Sequence, residues 1–196
     1  MRYLPLLVLA ALMLAACDAT VPSTPSASVS IEVAEATGDI DGPALAAVRA
    51  ATSQYQRVER ALADGWGVDP FPGDPNEAIS PCVANPVTGD GMGHHYINFG
   101  LMDGELDPST PEVLLYEPTK NGRFRLVGVE YIVPFGVEPR AADGGTAPEL
   151  FGETFTESDG ANGWALHVWI WRHNPAGMFA DFNPNVSCEY ATAPDA

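Results

Sequence analysis

The clearest apolar pattern in the chain is a helical stripe within residues 43–64. Its members recur at alternating spacings of three and four, which places them on one face of a helix. They are Val48, Ala51, Tyr55, Val58 and Leu62. Pro43 suits a first helical turn, and Gly65 suits the position just after the last turn. The pattern predicts one amphipathic helix with a buried face.

Later segments alternate apolar and polar residues and are rich in aromatic and β-branched side chains, as strands are. They cover residues 92–99, 112–118, 124–134, 165–172 and 178–182. Asn121-Gly122 and Asn174-Pro175-Ala176-Gly177 predict turns that join them into two hairpins. The sequence therefore predicts an α+β domain, with one N-terminal amphipathic helix packed on a mostly antiparallel, strongly twisted or barrel-like sheet.

A two-residue loop at Asn121-Gly122 pairs Lys120 with Arg123 and fixes the register of the first hairpin. One face then carries Leu114, Tyr116, Val127, Val129, Tyr131 and Val133, and the other carries Leu115, Glu117, Leu126, Gly128 and Glu130. The first set is core-like. Glu117 and Glu130 are separated by about 13 Å at 3.3 Å per residue, too far to act as a pair of carboxylates on one bond.

The start of the chain resembles a bacterial lipoprotein signal peptide. Arg2 precedes an apolar run that ends in Leu14-Ala15-Ala16-Cys17, and the run is shorter than the about 20 residues that a membrane-spanning helix needs. The resemblance implies that residues 1–16 are removed and that Cys17 carries the lipid anchor. It implies a location at the periplasmic face of the inner membrane, or at the outer membrane or cell surface. The alternative is an ordinary secretory peptide that leaves Cys17 free.

Composition divides the rest of the chain into three parts. Residues 17–41 are poor in large apolar side chains and predict a flexible tether, although Val29, Ile31 and Val33 could form an edge strand. Residues 42–190 predict one globular domain, interrupted by a Gly- and Pro-rich surface loop at 65–82. Residues 191–196 predict a disordered tail.

The chain has 26 acidic and 9 basic residues, a formal net charge of -17. This charge argues against nucleic acid as a partner and against electrostatic docking to anionic lipid, so a lipid anchor would provide the contact with the membrane. With Cys17 lipidated, Cys82 and Cys188 remain as an even pair in an exported chain, which predicts a disulfide. Two thiolates on a metal are less favoured, because no further cysteine accompanies them.

The histidines carry the main chemical signal. His94 and His95 are adjacent and must point to opposite faces of a regular strand, so only one can belong to a given site. His94 shares its face with Met92, Tyr96 and Asn98, whereas His95 goes with Ile97 and Phe99 and resembles a packed residue. The alternation favours His94 as the functional residue.

A second histidine lies among tryptophans, because His167, Trp169 and Trp171 share one face of their predicted strand. Aromatic rings can line a ligand site. The alternative is that the indoles cover the end of the sheet while His167 bonds to a backbone carbonyl. We expect the sheet face that carries Tyr96, Asn98, Trp169 and Trp171 to bind a small ligand.

These observations combine into one hypothesis: His94, Glu130 and His167 converge on one sheet face and hold a transition metal. Two imidazoles and a carboxylate can bind Zn²⁺, Cu²⁺ or Fe²⁺ with positions left open. Three functions remain: binding of a metal or small ligand, metal-dependent hydrolysis or oxidation, and a structural or protein-interaction role.

Four segments resemble a group of exported bacterial proteins without an assigned activity. They are Gly91-Met92-Gly93-His94-His95-Tyr96, Pro111-Glu112-Val113-Leu114-Leu115-Tyr116-Glu117-Pro118, Leu126-Val127-Gly128-Val129-Glu130-Tyr131, and a segment that runs from His167-Val168-Trp169 to Asn174-Pro175-Ala176-Gly177-Met178-Phe179-Ala180-Asp181. The resemblance places Glu130, His167 and either His94 or His95 within shared motifs. If the shared histidine is the one directly before Tyr96, His95 replaces His94 in the site.

Overall fold

The computed structural model describes residues 42–67 and 81–191, which belong to one compact unit. The predicted signal peptide, Cys17, the tether with its possible edge strand, most of the Gly- and Pro-rich loop and residues 192–196 of the tail lie outside the described residues. Their assignments stay predictions. Within the described part of the chain, none of the helices has the length and apolar content needed to cross a bilayer.

The N-terminal helix forms, but it is divided in two. Helix α1 spans Pro43–Thr52 and continues as a 3-10 turn over Ser53–Gln56, and helix α2 spans Val58–Ala63. Between them Arg57 has an extended backbone (φ -106°, ψ 116°). The prediction of one continuous helix is therefore wrong at this point.

A hydrogen bond from the sheet accompanies this break. The Tyr116 hydroxyl donates to the Tyr55 carbonyl oxygen over 2.6 Å, so this buried carbonyl has a partner other than a helical N–H. The break also changes which residues face the core: Ala61 is buried in α2, whereas Leu62, which the stripe predicted to be buried, is exposed. Val48 and Tyr55, which precede the break, are buried as predicted.

The strands form a curled antiparallel sheet, and the α+β prediction is confirmed. In chain order they are β1 (Val83–Ala84), β2 (Gly91–Ile97), β3 (Val113–Pro118), β4 (Phe124–Pro134), β5 (Glu149–Leu150), β6 (Glu153–Thr154), β7 (Thr156–Ser158) and β8 (Gly163–Val168). The main sheet has the order β1-β2-β3-β4-β8-β7, and β5 pairs with β6 alone. The helices cover one face of this half-barrel.

The β3–β4 hairpin has a longer loop than predicted. Thr119 N donates to Arg123 O over 2.8 Å, so the loop contains Lys120, Asn121 and Gly122, and Lys120 does not pair with Arg123. Gly122 has a φ of 71°, which glycine tolerates without steric cost. The wider turn shifts the register by one residue next to the loop.

A bulge between Leu115 and Tyr116 restores the predicted register farther along the hairpin. Leu114 then faces Val129 and Val113 faces Glu130, as the two-residue loop required. Only the residues between bulge and loop are affected. As a result, Leu126 joins the core beneath the helices and Val127 joins the opposite face, the reverse of the prediction.

The two faces of the sheet have separate cores. The helical face packs Leu114, Tyr116, Leu126, Val129, Tyr131, Val133, Leu166 and Val168 against helix residues such as Leu45 and Val48. The second face carries a smaller apolar cluster of Val113, Leu115, Val127, Ile132, Trp169 and Val186. Both faces are therefore buried over much of the sheet.

The second face is covered by the C-terminal segment. Residues 178–182, predicted as a strand, form no named strand; the chain turns after β8, where Ile170 N donates to Val168 O over 2.9 Å. The segment then exchanges backbone hydrogen bonds between Asn183 and Gly91. A Cβ on Gly91 would lie 2.7 Å from Val186 O, so this close approach requires glycine.

The predicted disulfide between Cys82 and Cys188 is confirmed. Its Cα atoms are 5.7 Å apart, and the cysteines are separated by 106 residues in sequence. The bridge attaches the end of the covering segment to the residue just before β1.

We expect the Cys82→Ser/Cys188→Ser double variant to lose up to about 5 kcal/mol of unfolding free energy, because the bridge restrains a loop of roughly 100 residues in the unfolded chain. Denaturant unfolding of the oxidised protein measures the difference. Reductant should reproduce the loss in the natural sequence and leave the variant unchanged. Equal midpoints for the oxidised protein and the variant would contradict the expectation.

Candidate metal centre

Strand pairing brings the first two residues of the site together. Glu130 on β4 lies directly opposite His167 on β8. Their neighbours in sequence belong to the core beneath the helices, so alternation points both side chains to the second face. His167 Nε2 lies 3.8 Å from Glu130 Oε1.

The third residue, His95, comes from β2, on the other side of β3. It pairs with Leu115, which belongs to the second-face cluster. Its Nε2 lies 3.6 Å from Glu130 Oε2, and its ring centroid is 6.1 Å from that of His167. One ligand atom from each of the three residues lies within 4.8 Å of the others, and the group can hold a metal ion.

His94 is not brought to this group. It pairs with Tyr116 on the helical face, and its ring makes an edge contact with Phe124 at 5.3 Å between centroids. The sequence assigned His94 to the site and His95 to packing, and the structure places them the other way round. Alternation separates the two histidines, but only the sheet register decides which face each occupies.

Of the two tryptophans expected beside His167, only Trp169 adjoins it. Its ring stacks on the imidazole at 6.1 Å with an interplanar angle of 10°, and its Nε1 donates to Ala180 O over 2.6 Å. Trp171 instead packs on the helical side and donates to Thr52 Oγ1 over 3.0 Å. The turn at Ile170 interrupts the alternation that had placed the two indoles on one face.

The other predicted ligand residues do not line this site. Tyr96 lies in the helical-face core against Tyr116 and Phe124. Asn98 follows β2 and accepts a hydrogen bond from Gly100 N over 3.1 Å, which stabilises the 3-10 turn at Phe99–Leu101. The aromatic ligand face predicted from the sequence therefore reduces to Trp169.

The site is largely enclosed: 5% of the Glu130 side chain, 6% of His167 and 14% of His95 are exposed. Burial, together with the nearby Asp181 and Glu112 carboxylates, raises the pKa of Glu130 to about 8. Burial lowers the pKa of His95 to about 3, helped by the imidazoles of His167 and of the neighbouring His94. Burial also lowers the pKa of His167 to about 4. At neutral pH the metal-free group thus holds neutral imidazoles and a protonated carboxyl rather than ion pairs.

His167 has two different surroundings at its two ring nitrogens. Nε2 is buried and has no hydrogen-bond partner among the described residues, a situation that is costly in a protein interior. Nδ1 faces Asp181 Oδ1 at 3.9 Å, and that side chain is 61% exposed. A carboxylate on the far nitrogen is the usual partner of a metal-bound histidine, since it orients the ring.

Sequence reasoning missed two acidic residues near the site. Asp181 reaches His167 only because the C-terminal segment folds back, which no local pattern indicates. Glu112 is fully buried just before β3, where its Oε2 accepts a hydrogen bond from Ile132 N over 3.1 Å. Burial raises the pKa of Glu112 to about 7, although hydrogen bonds from its own backbone N–H and from Ile132 oppose the shift.

Comparison of the chain with models of protein families, with curated proteins and with solved structures finds no match. The resemblance to exported bacterial proteins stays a prediction. The geometry of the site is therefore the basis for inferring a function.

The raised pKa of Glu112 predicts a pH-dependent loss of stability. The folded protein binds the proton of the Glu112 carboxyl more tightly than the unfolded chain does. This proton therefore contributes its full stabilisation below the unfolded-chain pKa of 4.5, and the stabilisation is lost as the pH rises through about 7. A pKa shift of this size corresponds to about 3 kcal/mol of unfolding free energy. Glu112→Gln keeps an acceptor for Ile132 N but cannot ionise.

We therefore expect the natural protein to lose about 3 kcal/mol relative to Glu112→Gln when the pH rises from about 4 to about 8. Denaturant unfolding at both pH values gives this difference. Glu149→Gln, at an exposed carboxylate, is the matched control and should follow the natural protein. Parallel pH profiles for the natural protein and Glu112→Gln would refute the assignment.

Proposed function

We propose that this domain binds a divalent transition metal through His95, Glu130 and His167. The observation that carries the proposal is the convergence of three ligand atoms, from three strands, within 4.8 Å. The donors come from well-paired strands rather than loops, so the backbone holds them in place before any ion arrives.

The spacing of the donors supports a small ion. Ligands at about 2.0–2.1 Å around a tetrahedral metal lie about 3.3 Å from one another. His95 Nε2 lies 3.6 Å from Glu130 Oε2, and His167 Nε2 lies 3.8 Å from Glu130 Oε1. One donor atom from each residue lies within 4.8 Å of the others, so side-chain movements of up to about 1.5 Å bring all three to tetrahedral spacing. An ion would also give the buried Nε2 of His167 a partner.

The donor chemistry narrows the class of metal. Imidazole and carboxylate together suit Zn²⁺, Fe²⁺ and Cu²⁺, whereas Ca²⁺ and Mg²⁺ prefer sites made entirely of oxygen. Burial of Glu130 and His167 favours holding the ion over turning over a substrate, because a catalytic metal keeps an accessible position. Binding is therefore our first choice over a hydrolase or oxidase.

We place this activity in the bacterial cell envelope, on a lipid-anchored protein. The lipoprotein-like segment that ends at Cys17 supports export and anchoring. The Cys82–Cys188 disulfide supports export independently, because such bridges persist in oxidising compartments. A tether of residues 17–41 would let the domain sample metal near the membrane.

Replacing the two site histidines tests the metal site. We expect His95→Ala and His167→Ala each to weaken binding of Zn²⁺ or Cu²⁺ by more than about 100-fold. Replacing a residue that only hydrogen-bonds to a metal ligand already costs up to about 100-fold in affinity, and these two residues would be ligands themselves. Asp181→Asn should weaken it by about tenfold, because Asp181 acts through His167. Calorimetric titration of the full chain measures these affinities.

His94→Ala is the matched control, since it removes a neighbouring imidazole on the opposite face and should leave affinity unchanged. Trp169 gives a second readout: bound Cu²⁺ should quench its fluorescence, and Trp169→Phe should remove that quenching while Trp171→Phe retains it. Equal affinities in His94→Ala, His95→Ala and His167→Ala would reject the site.

The lipid anchor predicts that Cys17→Ser protein incorporates no labelled fatty acid and leaves the membrane fraction. Metabolic labelling followed by cell fractionation measures both properties. The Cys82→Ser/Cys188→Ser variant retains Cys17 and should still be labelled. Labelling that persists in Cys17→Ser would rule out this attachment point.

A further inference from the structure

Basic side chains are concentrated at one place in this acidic protein. Four of the nine lysines and arginines line two neighbouring cavities beside the β3–β4 loop: Arg57, Lys120, Arg123 and Arg125. The cavities share Thr119, Asn121 and Arg125. A net charge of -17 thus conceals a local excess of positive charge.

The larger cavity, which we call the arginine cavity, has a volume of about 650 Å³ and is lined by Arg57, Arg123 and Arg125. One wall is the helix break around Arg57, and the other is the hairpin loop. Val58 and Phe124 also line it and pack against the helical-face core. Glu59 is its single acidic lining residue, against three arginines.

The hairpin holds two of these guanidinium groups in position. With the Asn121 amide oriented as its hydrogen bonds require, its oxygen accepts from Arg123 Nε and Nη2 over 3.0 and 2.7 Å. Arg125 Nη1 donates to Glu117 Oε2 over 3.2 Å. Arg57 is exposed and forms no ion pair with a described residue, so its charge is available to a ligand.

We propose that the arginine cavity binds a phosphate-bearing anion. Guanidinium groups present paired N–H donors that match phosphate oxygens, and a phosphate offers enough oxygens to engage several arginines at once. Acidic residues elsewhere on the surface oppose the binding of an anion only weakly, because exposed charges beyond about 8 Å are screened at physiological ionic strength. The ligand is either a free phosphate or monoester, or the phosphodiester headgroup of a lipid.

Calorimetric titration of the full chain with three soluble probes tests the proposal: inorganic phosphate, glycerol phosphate and glycerophosphoglycerol. The last is the deacylated headgroup of phosphatidylglycerol. We expect Arg57→Gln and Arg123→Gln each to weaken binding by about tenfold, the loss expected for a charge-assisted hydrogen bond. Arg60→Gln is the matched control, because Arg60 lies on α2 but pairs with Asp64 at 2.8 Å and does not line the cavity.

Each outcome decides one point. Binding of phosphate or glycerol phosphate alone supports the proposal with a free or monoester ligand, and binding of glycerophosphoglycerol supports it with a lipid headgroup. Failure of all three probes to bind overturns the proposal. So does binding that Arg57→Gln and Arg123→Gln weaken no more than Arg60→Gln does. The metal-site variants do not enter this test, so the two proposals stand or fall separately.

Discussion

The pairing of Glu130 with His167 across β4 and β8 is the constraint on which the rest of the site depends. A slip of β8 by one residue would turn His167 into the core beneath the helices and bring an apolar neighbour, Leu166 or Val168, to the second face beside Glu130. On the other side of β4, the site depends equally on the bulge between Leu115 and Tyr116. This bulge returns β3 to the register that lets His95 face Glu130. The geometry of the site is therefore a property of the whole sheet.

Sequence patterns predicted the features that depend on local spacing. The α+β class and the disulfide followed from periodicity and cysteine arithmetic, and the structure contains both. The convergence of Glu130 and His167 was a hypothesis that depended on strand order, and the pairing of β4 with β8 supplies that order. Alternation favoured His94 while the resemblance left His95 open, because the choice depends on which strand lies beside β2 and in what register. Trp171 was expected on the wrong face, and Asp181 was not identified at all. Both follow Ile170, where the chain leaves regular strand geometry and alternation no longer applies.

The two faces of the sheet differ in composition: one forms the main apolar core, and the other holds the polar group of the candidate site. The helical face is almost entirely apolar and accounts for most of the large buried side chains. The second face carries a small apolar cluster together with two imidazoles and a carboxyl, groups that are expensive to bury without partners. The fold can accommodate that cost because the larger core lies on the other side, and because the C-terminal segment excludes water from the polar group.

The disulfide has a topological consequence. His95, Glu130 and His167 all lie in the stretch of chain between Cys82 and Cys188, so the bridge closes this stretch into a covalent circle that contains every donor, while both helices lie outside it. A single proteolytic nick anywhere in that circle leaves the pieces joined, with no donor able to diffuse away. One cut therefore cannot separate His95, Glu130 and His167 from one another, wherever in the circle it falls.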